Sequence, residues 1–484
     1  MAAQSSSTMR QQLRTFALVW VGITVIMGAC TFVAIYSAYG ALSQETDFSD
    51  TNSIALPPAT DDSAVALAPT GTLIPTRQAV AATASPTSAP PAADAASADA
   101  APAVAAAPTL GPTPLPVDDV RFQPGIQVQY SLDLNPENQD MWMREVSEKL
   151  NLEWYKQQVR WEDYERERGQ YDWTVLDLTM PSAARFGLKV MLSIVTAPDW
   201  AREAGVDLSK HGPPADFQDY VNFVTAIVER YPGMVHGIEV WNEQNLDREW
   251  TSTGGLSAAN YVALLRQTYQ AVKNIDPGII VISGALSPTG GWTEPDGRVS
   301  AIDDFSYLDA LIAAGLLNYA DCVGAHHNGY NIGPNVPWDS VPPDPTATFR
   351  GPFENPHHSW SFRSTLETYA NKIRLAGSDL RLCVTEFGWA STEDLGGYPP
   401  GFEFANDNTL AEQDMWTIEA FNNMEKWDTV WLAFLWNLNY GPQAGWDTNN
   451  DNVPYSIIGK DWQFRPVYDS LRDWQTERRE RQGM

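Results

Sequence analysis

The segment Gly237–Asn245 reads GIEVWNEQN, and the segment Leu380–Trp389 reads LRLCVTEFGW. Each begins as an apolar run of strand length and arrives at a carboxylate, Glu243 in the first and Glu386 in the second. Short apolar runs bounded by polar turn residues read as buried strands. Strands buried on both faces belong to parallel sheets covered by helices.

Outward from these two, the same unit recurs along the chain. Strand patterns fall at Gly125–Tyr130 (GIQVQY), Trp154–Trp161 (WYKQQVRW), Leu188–Val195 (LKVMLSIV), Ile279–Leu286 (IIVISGAL), Cys322–His326 (CVGAH) and Thr429–Trp436 (TVWLAFLW). Amphipathic helical patterns separate them at Glu137–Leu150, Leu176–Phe186, Asp216–Tyr231, Ala258–Asn274, Phe305–Ala314, Ser364–Ala376 and Leu410–Lys426, and Val467–Gln475 follows the last strand. Gly237–Trp241 is then the fourth strand of eight and Leu380–Glu386 the seventh. Eight βα units, with no glycine-rich phosphate loop after the first strand, predict an α/β fold closed as a (β/α)8 TIM barrel over residues 119–484.

The N-terminal quarter has a different character. Residues 15–38, TFALVWVGITVIMGACTFVAIYSA, carry no charge over about 24 positions, enough to span a bilayer as a helix. Arg10 and Arg14 precede this run, and no Lys or Arg follows until Arg77. The positive-inside rule puts residues 1–14 in the cytoplasm and everything after the span outside. The expected location is therefore the cell membrane, with a single-pass anchor and an extracytoplasmic barrel. A cleaved signal peptide is the rival reading, though its apolar region is usually shorter. Residues 39–118 are rich in Ala, Pro, Ser and Thr, as in ATASPTSAPPAADAASADAAPAVAAAPTLGPTPLP over 82–116, and predict a disordered spacer with nothing to form a core.

Charge narrows the partners. The chain has 31 Lys and Arg against 60 Asp and Glu, a formal net charge of -29, which repels a phosphate backbone and argues against nucleic acid. The cysteines are Cys30, Cys322 and Cys383. They show no metal-ligand spacing, and buried thiols are the favoured reading, although the barrel puts Cys322 and Cys383 on neighbouring strands where they could pair. No metal or other cofactor is expected. Asp447–Asn452 (DTNNDN) imitates the start of a calcium loop, but it lacks the glycine at the sixth position and has Ile458 where the bidentate Glu belongs, so it reads as an acidic loop.

In an α/β barrel the chemistry comes from the C-terminal ends of the strands. Strands four and seven face each other across the mouth, so Glu243 and Glu386 can reach a common centre. An Asn-Glu pair at a strand end can also simply cap the next helix, and each motif alone is weak. Together they offer the two carboxylates, about 5–5.5 Å apart, that glycoside hydrolysis with retention requires, one a proton donor and one a nucleophile.

WNEQN and TEFGW together resemble clan A of the retaining glycoside hydrolases, with families 39 and 5 nearest, over about residues 121–475. Membrane-anchored family 39-like proteins linked to exopolysaccharide processing are similar in layout. The resemblance implies Glu243 as acid/base and Glu386 as nucleophile. It implies Asn242 on the sugar 2-hydroxyl and Arg160, ending strand two, as the cation beside the nucleophile. At the end of strand six it implies a histidine and Tyr330. His326 and His327 are adjacent, alternation turns one inward, and His326 is favoured. Trp436, ending strand eight, takes the place of the sugar platform. The expected activity is a retaining β-glycosidase acting on a β-linked polysaccharide or oligosaccharide. The other classes are a catalytically silent carbohydrate-binding barrel and a structural subunit of a membrane assembly. Asn331–Pro356, rich in Pro, Asp and Asn, is expected to be an active-site loop after strand six.

Overall fold

The structure is a computed structural model that describes residues 120–344, 347 and 357–483. The expected anchor at 15–38, the spacer at 39–118 and most of the second half of the 331–356 loop lie outside the described residues. Among the described residues no helix is long and apolar enough to cross a membrane.

The eight expected strands are present as β1 (Gln123–Gln127), β2 (Trp154–Arg160), β3 (Lys189–Val195), β4 (Gly237–Val240), β5 (Ile280–Ser283), β6 (Val323–Gly329), β7 (Leu382–Trp389) and β8 (Val430–Leu435). The eight expected helices follow them in turn: α1 (Pro136–Arg144), α2 (Thr174–Arg185), α3 (Phe217–Arg230), α4 (Ala258–Ile275), α5 (Asp304–Ala313), α6 (Phe362–Leu375), α7 (Leu410–Trp427) and α8 (Pro466–Gln482). Local signals set their starts. Asp216 caps α3, Ser257 caps α4 and Ser361 caps α6, each side chain accepting a first-turn backbone N–H. Thr409 and Glu412 form a reciprocal capping box on α7.

All seven strand pairs are parallel, in the order β5-β4-β3-β2-β1-β8-β7-β6. The two ends of that order meet through parallel bridges Ile282↔Cys322 and Leu286↔Ala325, which close the TIM barrel. Gly324 makes the closure possible: a Cβ there would lie 2.0 Å from the carbonyl oxygen of Ser283. Ser283 Oγ in turn accepts the Gly324 N–H at 2.9 Å. A two-stranded hairpin, Trp292–Thr293 with Val299–Ala301, extends the loop after β5.

The larger core packs the outer face of the barrel against the helices. A second core fills the lower barrel with Trp154, Met191, Ile282, Leu432 and Phe434 around the two cysteines. Trp154 packs in this core 6.1 Å from Phe434 in an edge-to-face contact, and Gly125 beside it leaves that room. The reading of Cys322 and Cys383 as free thiols is corrected: they form a disulfide inside the barrel, with Cα atoms 5.8 Å apart. Adjacent parallel strands bring two inward-facing residues to that separation, and that is a property of the pairing rather than of the cysteine spacing.

Candidate active site

Above the apolar lower barrel the inward residues become polar. β4 turns Glu239 inward, β7 turns Thr385 and β6 turns His326, and all three are fully buried. β2 contributes Lys156, with no exposed side-chain surface. Just past β4 the chain is forced out of strand geometry, with left-handed φ of 76° at Trp241 and 45° at Glu243. Conformations of this kind in non-glycine residues cost about 1–3 kcal/mol each and persist where the surroundings impose them. Here the Trp241 N–H donates to Ile194 O at 3.1 Å and the Glu243 N–H to Ala285 O at 2.8 Å. The Trp241 indole also donates to Glu249 O at 3.0 Å.

These constraints bring Glu243 and Glu386 to one imidazole. His326 Nδ1 lies 3.3 Å from Glu243 Oε1 and 3.8 Å from Glu386 Oε2. The nearest oxygens of the two carboxylates are therefore no farther apart than those two distances laid end to end. The second oxygen of Glu243 meets Arg248 Nη2 at 3.2 Å, and Oε1 of Glu386 meets Lys156 Nζ at 2.9 Å. Below them Lys156 Nζ is 3.8 Å from Glu239 Oε2, and Glu239 Oε1 accepts the Thr385 hydroxyl at 2.6 Å.

The charges of this chain of contacts nearly cancel. Glu239, Glu243 and Glu386 face Lys156 and Arg248, and a proton on His326 makes the count even. Burial works against a charged His326, but Glu386, the Glu243 hydrogen bond and Glu239 outweigh it and raise its pKa. Burial pushes the Glu243 carboxyl up, and the His326 hydrogen bond together with the Arg248 guanidinium more than reverses this, holding it at about 2. Among the described residues no comparable hydrogen bond reaches the Glu249 carboxyl. Burial and the charge of Glu243 lift it to about 7.

The other expected site residues divide. His326 faces the carboxylates, while His327 turns outward, its Nε2 3.1 Å from Ser359 O and its ring edge-on to Phe362. Tyr330 lies at the cleft, edge-to-face with Phe404 at 5.0 Å. Trp436 is nearly buried, with its ring centroid 5.8 Å from Lys156 Nζ, and its peptide bond to Asn437 is cis. Asn242 has a buried amide oxygen without a hydrogen-bond partner among the described residues. Arg160 departs from expectation. It pairs with Glu162 at 2.6 Å and Asp163 at 3.9 Å, and its guanidinium lies 3.2 Å from His211 Nε2. The cation against Glu386 is Lys156, four residues earlier on the same face of β2. Its one sequence signal is a lysine at an inward position of a strand that is otherwise buried.

A cavity of about 730 Å³ opens beside Glu243. Its lining includes the charged residues Lys210, Asp247, Arg248 and Arg298 and the aromatic residues Tyr330, Phe402, Phe404 and Tyr455. A lining of charged and aromatic side chains suits a ring that has hydroxyls at its edge and C–H groups on its faces. Phe402 and Phe404 come from the 396–408 segment.

For a metal, Asp303, Asp304 and His358 present donor atoms within 4.8 Å of one another among the described residues. Those atoms already serve one another and the fold. His358 Nε2 is 2.6 Å from Asp303 Oδ2, and Asp304 accepts from Tyr369 Oη at 2.8 Å and from the Thr289 N–H at 3.1 Å. The Asp447–Asn452 loop folds on itself, Asp447 Oδ1 accepting the Asn449 N–H at 2.9 Å and Asn450 Oδ1 the Asn452 N–H at 3.0 Å.

Comparison with known proteins gives likeness in fold. The sequence matches no family model and no curated protein. Its structural neighbours are clan A glycoside hydrolases on (β/α)8 barrels. One is a family 39 glycoside hydrolase from Bacteroides cellulosilyticus WH2, 18% identical, covering 74% of this chain and 64% of that one at a TM-score of 0.50. Another is a family 5 glycoside hydrolase from Bifidobacterium longum in complex with Manβ1-4GlcNAc, 16% identical, covering 74% and 79% at 0.49. A third is xylanase 10B from Thermotoga petrophila in complex with xylobiose, 14% identical, covering 75% and 96% at 0.47. This chain spans less than two thirds of the length of the family 39 enzyme. At these identities the likeness is that of the barrel architecture shared by glycoside hydrolases.

Proposed function

We propose that this chain is a retaining β-glycosidase that hydrolyses a β-linked polysaccharide or oligosaccharide through a covalent glycosyl-enzyme. The observation that supports it is the convergence of Glu243 and Glu386, from β4 and β7, on the single nitrogen of His326. Two carboxylates brought to one point are what glycoside hydrolysis uses, one to give a proton to the leaving oxygen and one to act at the sugar carbon.

In this mechanism Glu386 Oε2 attacks the anomeric carbon as Glu243 gives a proton to the departing glycosidic oxygen. Glu243 then takes a proton from water, which displaces Glu386 and restores both groups. Glu243 must first acquire that proton, because His326 and Arg248 hold it ionised. The Arg248 side chain is 67% exposed at the cavity, so an entering sugar competes with the carboxylate for it. His326 Nδ1, 3.3 Å away, is placed to hand a proton to Glu243 once the Arg248 contact is released. Asn242 binds the 2-hydroxyl, Tyr330 the cleft side of the sugar and Trp436 its apolar face.

The placement we propose is extracytoplasmic, on a membrane anchor at 15–38. The Cys322–Cys383 disulfide supports it, since such bonds persist in oxidising compartments.

The test uses the purified full-length protein on β-glucans, xylans, mannans and galactans, with the first-formed anomer followed by NMR. The expected result is reducing-sugar release with retained configuration, abolished in Glu386→Ala and depressed about 10²- to 10⁴-fold in Glu243→Gln. Inversion, or activity surviving in Glu386→Ala, overturns the mechanism.

A further inference from the structure

We infer that Lys156 is the positioning residue of the nucleophile: it occupies Oε1 of Glu386 and leaves Oε2 as the oxygen that attacks, with Glu239 as the buried anion that holds the ammonium in place. This rests on the reading of Glu386 as nucleophile.

The geometry supplies the argument. Lys156 and Glu239 have no exposed side-chain surface. A lysine in that position loses its proton unless anions and hydrogen bonds keep it there. Lys156 Nζ donates to Glu386 Oε1 at 2.9 Å and to Thr385 O at 3.0 Å, and faces Glu239 Oε2 at 3.8 Å. Two of its three donors are thereby bonded, and the third side of the ammonium faces the Glu239 carboxylate at ion-pair distance. Thr385 serves both sides, its carbonyl taking the lysine and its hydroxyl donating to Glu239 Oε1 at 2.6 Å. The Ala285 N–H adds a bond to the same Glu239 oxygen at 3.2 Å. Strands β2, β4, β5 and β7 are thus tied together directly under the nucleophile.

A barrel that needed only stability would not place this pair here. A buried ion pair is no better for stability than a well-packed apolar pair of similar volume, because desolvation offsets the attraction. What it provides is an ammonium fixed against one carboxylate oxygen. Arg160, one strand repeat above, is engaged by Glu162 and Asp163 and does not compete for Glu386.

The ionisable groups facing Glu386 are Lys156 from β2, Glu239 and Glu243 from β4 and its end, Glu249 beyond it, His326 from β6, and Tyr440 and Tyr455 after β8. A substitution at 156 also removes the cation beside Glu239, which is why Glu239→Gln is measured alongside it.

The experiment compares the full-length wild type with Lys156→Met and Glu239→Gln on an activated aryl β-glycoside. It records the pH profile of kcat/KM, the rate of the glycosylation burst and the melting temperature. In Lys156→Met the acidic limb should move up by about one to three pH units, and the burst should slow roughly 10²- to 10³-fold. Glu239→Gln removes a like charge from the neighbourhood of Glu386 and should move the limb the other way by less. Should Lys156→Met not fold, Lys156→Gln keeps a donor near Oε1 without the charge and carries the same comparison. An acidic limb that stays in place, with kcat/KM lowered only in proportion to the folded fraction, would show a merely structural lysine and overturn the inference. Glu386→Ala in parallel separates the two claims: if it remains active, the reading of Glu386 as nucleophile fails; if it is dead while Lys156→Met keeps the wild-type limb, only the role of Lys156 fails.

Discussion

Nδ1 of His326 stands 3.3 Å from Oε1 of Glu243, an imidazole from strand β6 set against the carboxylate that ends β4. The contact makes the protonation of Glu243 a property of its neighbours. The carboxyl is held at about 2 in part by this bond and in part by Arg248.

Removing Arg248 should therefore change the pH dependence in a definite sense. Loss of the cation raises the pKa of Glu243, so the acid keeps its proton to higher pH. In Arg248→Ala the basic limb of kcat/KM is expected to move upward by about one unit or more. A pH–rate series on one substrate checks it, and an unmoved limb rejects the role given to Arg248.

Glu249 should leave a mark on stability. Its pKa is raised to about 7 from an ordinary 4.5, so the folded state holds a proton that the unfolded chain releases. The associated stability is fully present below about pH 4.5 and is lost as pH rises through about 7. Glu243 acts in the opposite sense, its contribution present above the ordinary carboxylate pKa and lost as pH falls toward 2. Melting temperatures between pH 4.5 and 7.5 should decline less in Glu249→Gln than in the wild type. Parallel curves would contradict the raised pKa.

The Cys322–Cys383 disulfide spans a sequence separation of 61. In the chain-entropy account a loop of that size is worth about 4 kcal/mol. The Cys322→Ala/Cys383→Ala double variant should melt several degrees lower while keeping its activity, because both cysteines lie in the lower barrel, below the polar layer. Calorimetry of oxidised, reduced and variant protein measures it, and equal melting points would show that the bond does not stabilise the fold.

Gly125 should tolerate no side chain. A Cβ there would sit 2.7 Å from the ring of Phe434 and from Cβ of Trp154. Gly125→Ala is expected to cost about 1–3 kcal/mol by overpacking, read as a lower denaturant midpoint with unchanged slope. A stability equal to wild type would mean that this core is looser than its packing indicates.

The elements of the fold are written locally, and so they were legible. The runs IIVISGAL and TVWLAFLW, the cap Ser257 and the Thr409/Glu412 box each state their element within a few residues. Glu243 and Glu386 were legible as site candidates for the same reason, since each interrupts an apolar strand at its end. Alternation along one strand said that one of His326 and His327 turns inward, and the barrel shows that it is His326.

What the sequence could not state is which charges meet. Lys156 lies 230 positions from Glu386 in the chain and within 2.9 Å of it in space. Arg160 has the better place at a strand end, yet Glu162 and Asp163 beside it in sequence take its guanidinium, and the deeper lysine reaches the carboxylate instead. The two cysteines were equally unreadable, because a pair on neighbouring parallel strands depends on barrel register. The sequence by itself determined a (β/α)8 chain with carboxylates ending strands four and seven, because hydrophobic period and caps act over one or two turns. Only the tertiary structure decided the Lys156, Glu239 and His326 contacts and the disulfide, because these depend on distances set by closing eight strands into one ring.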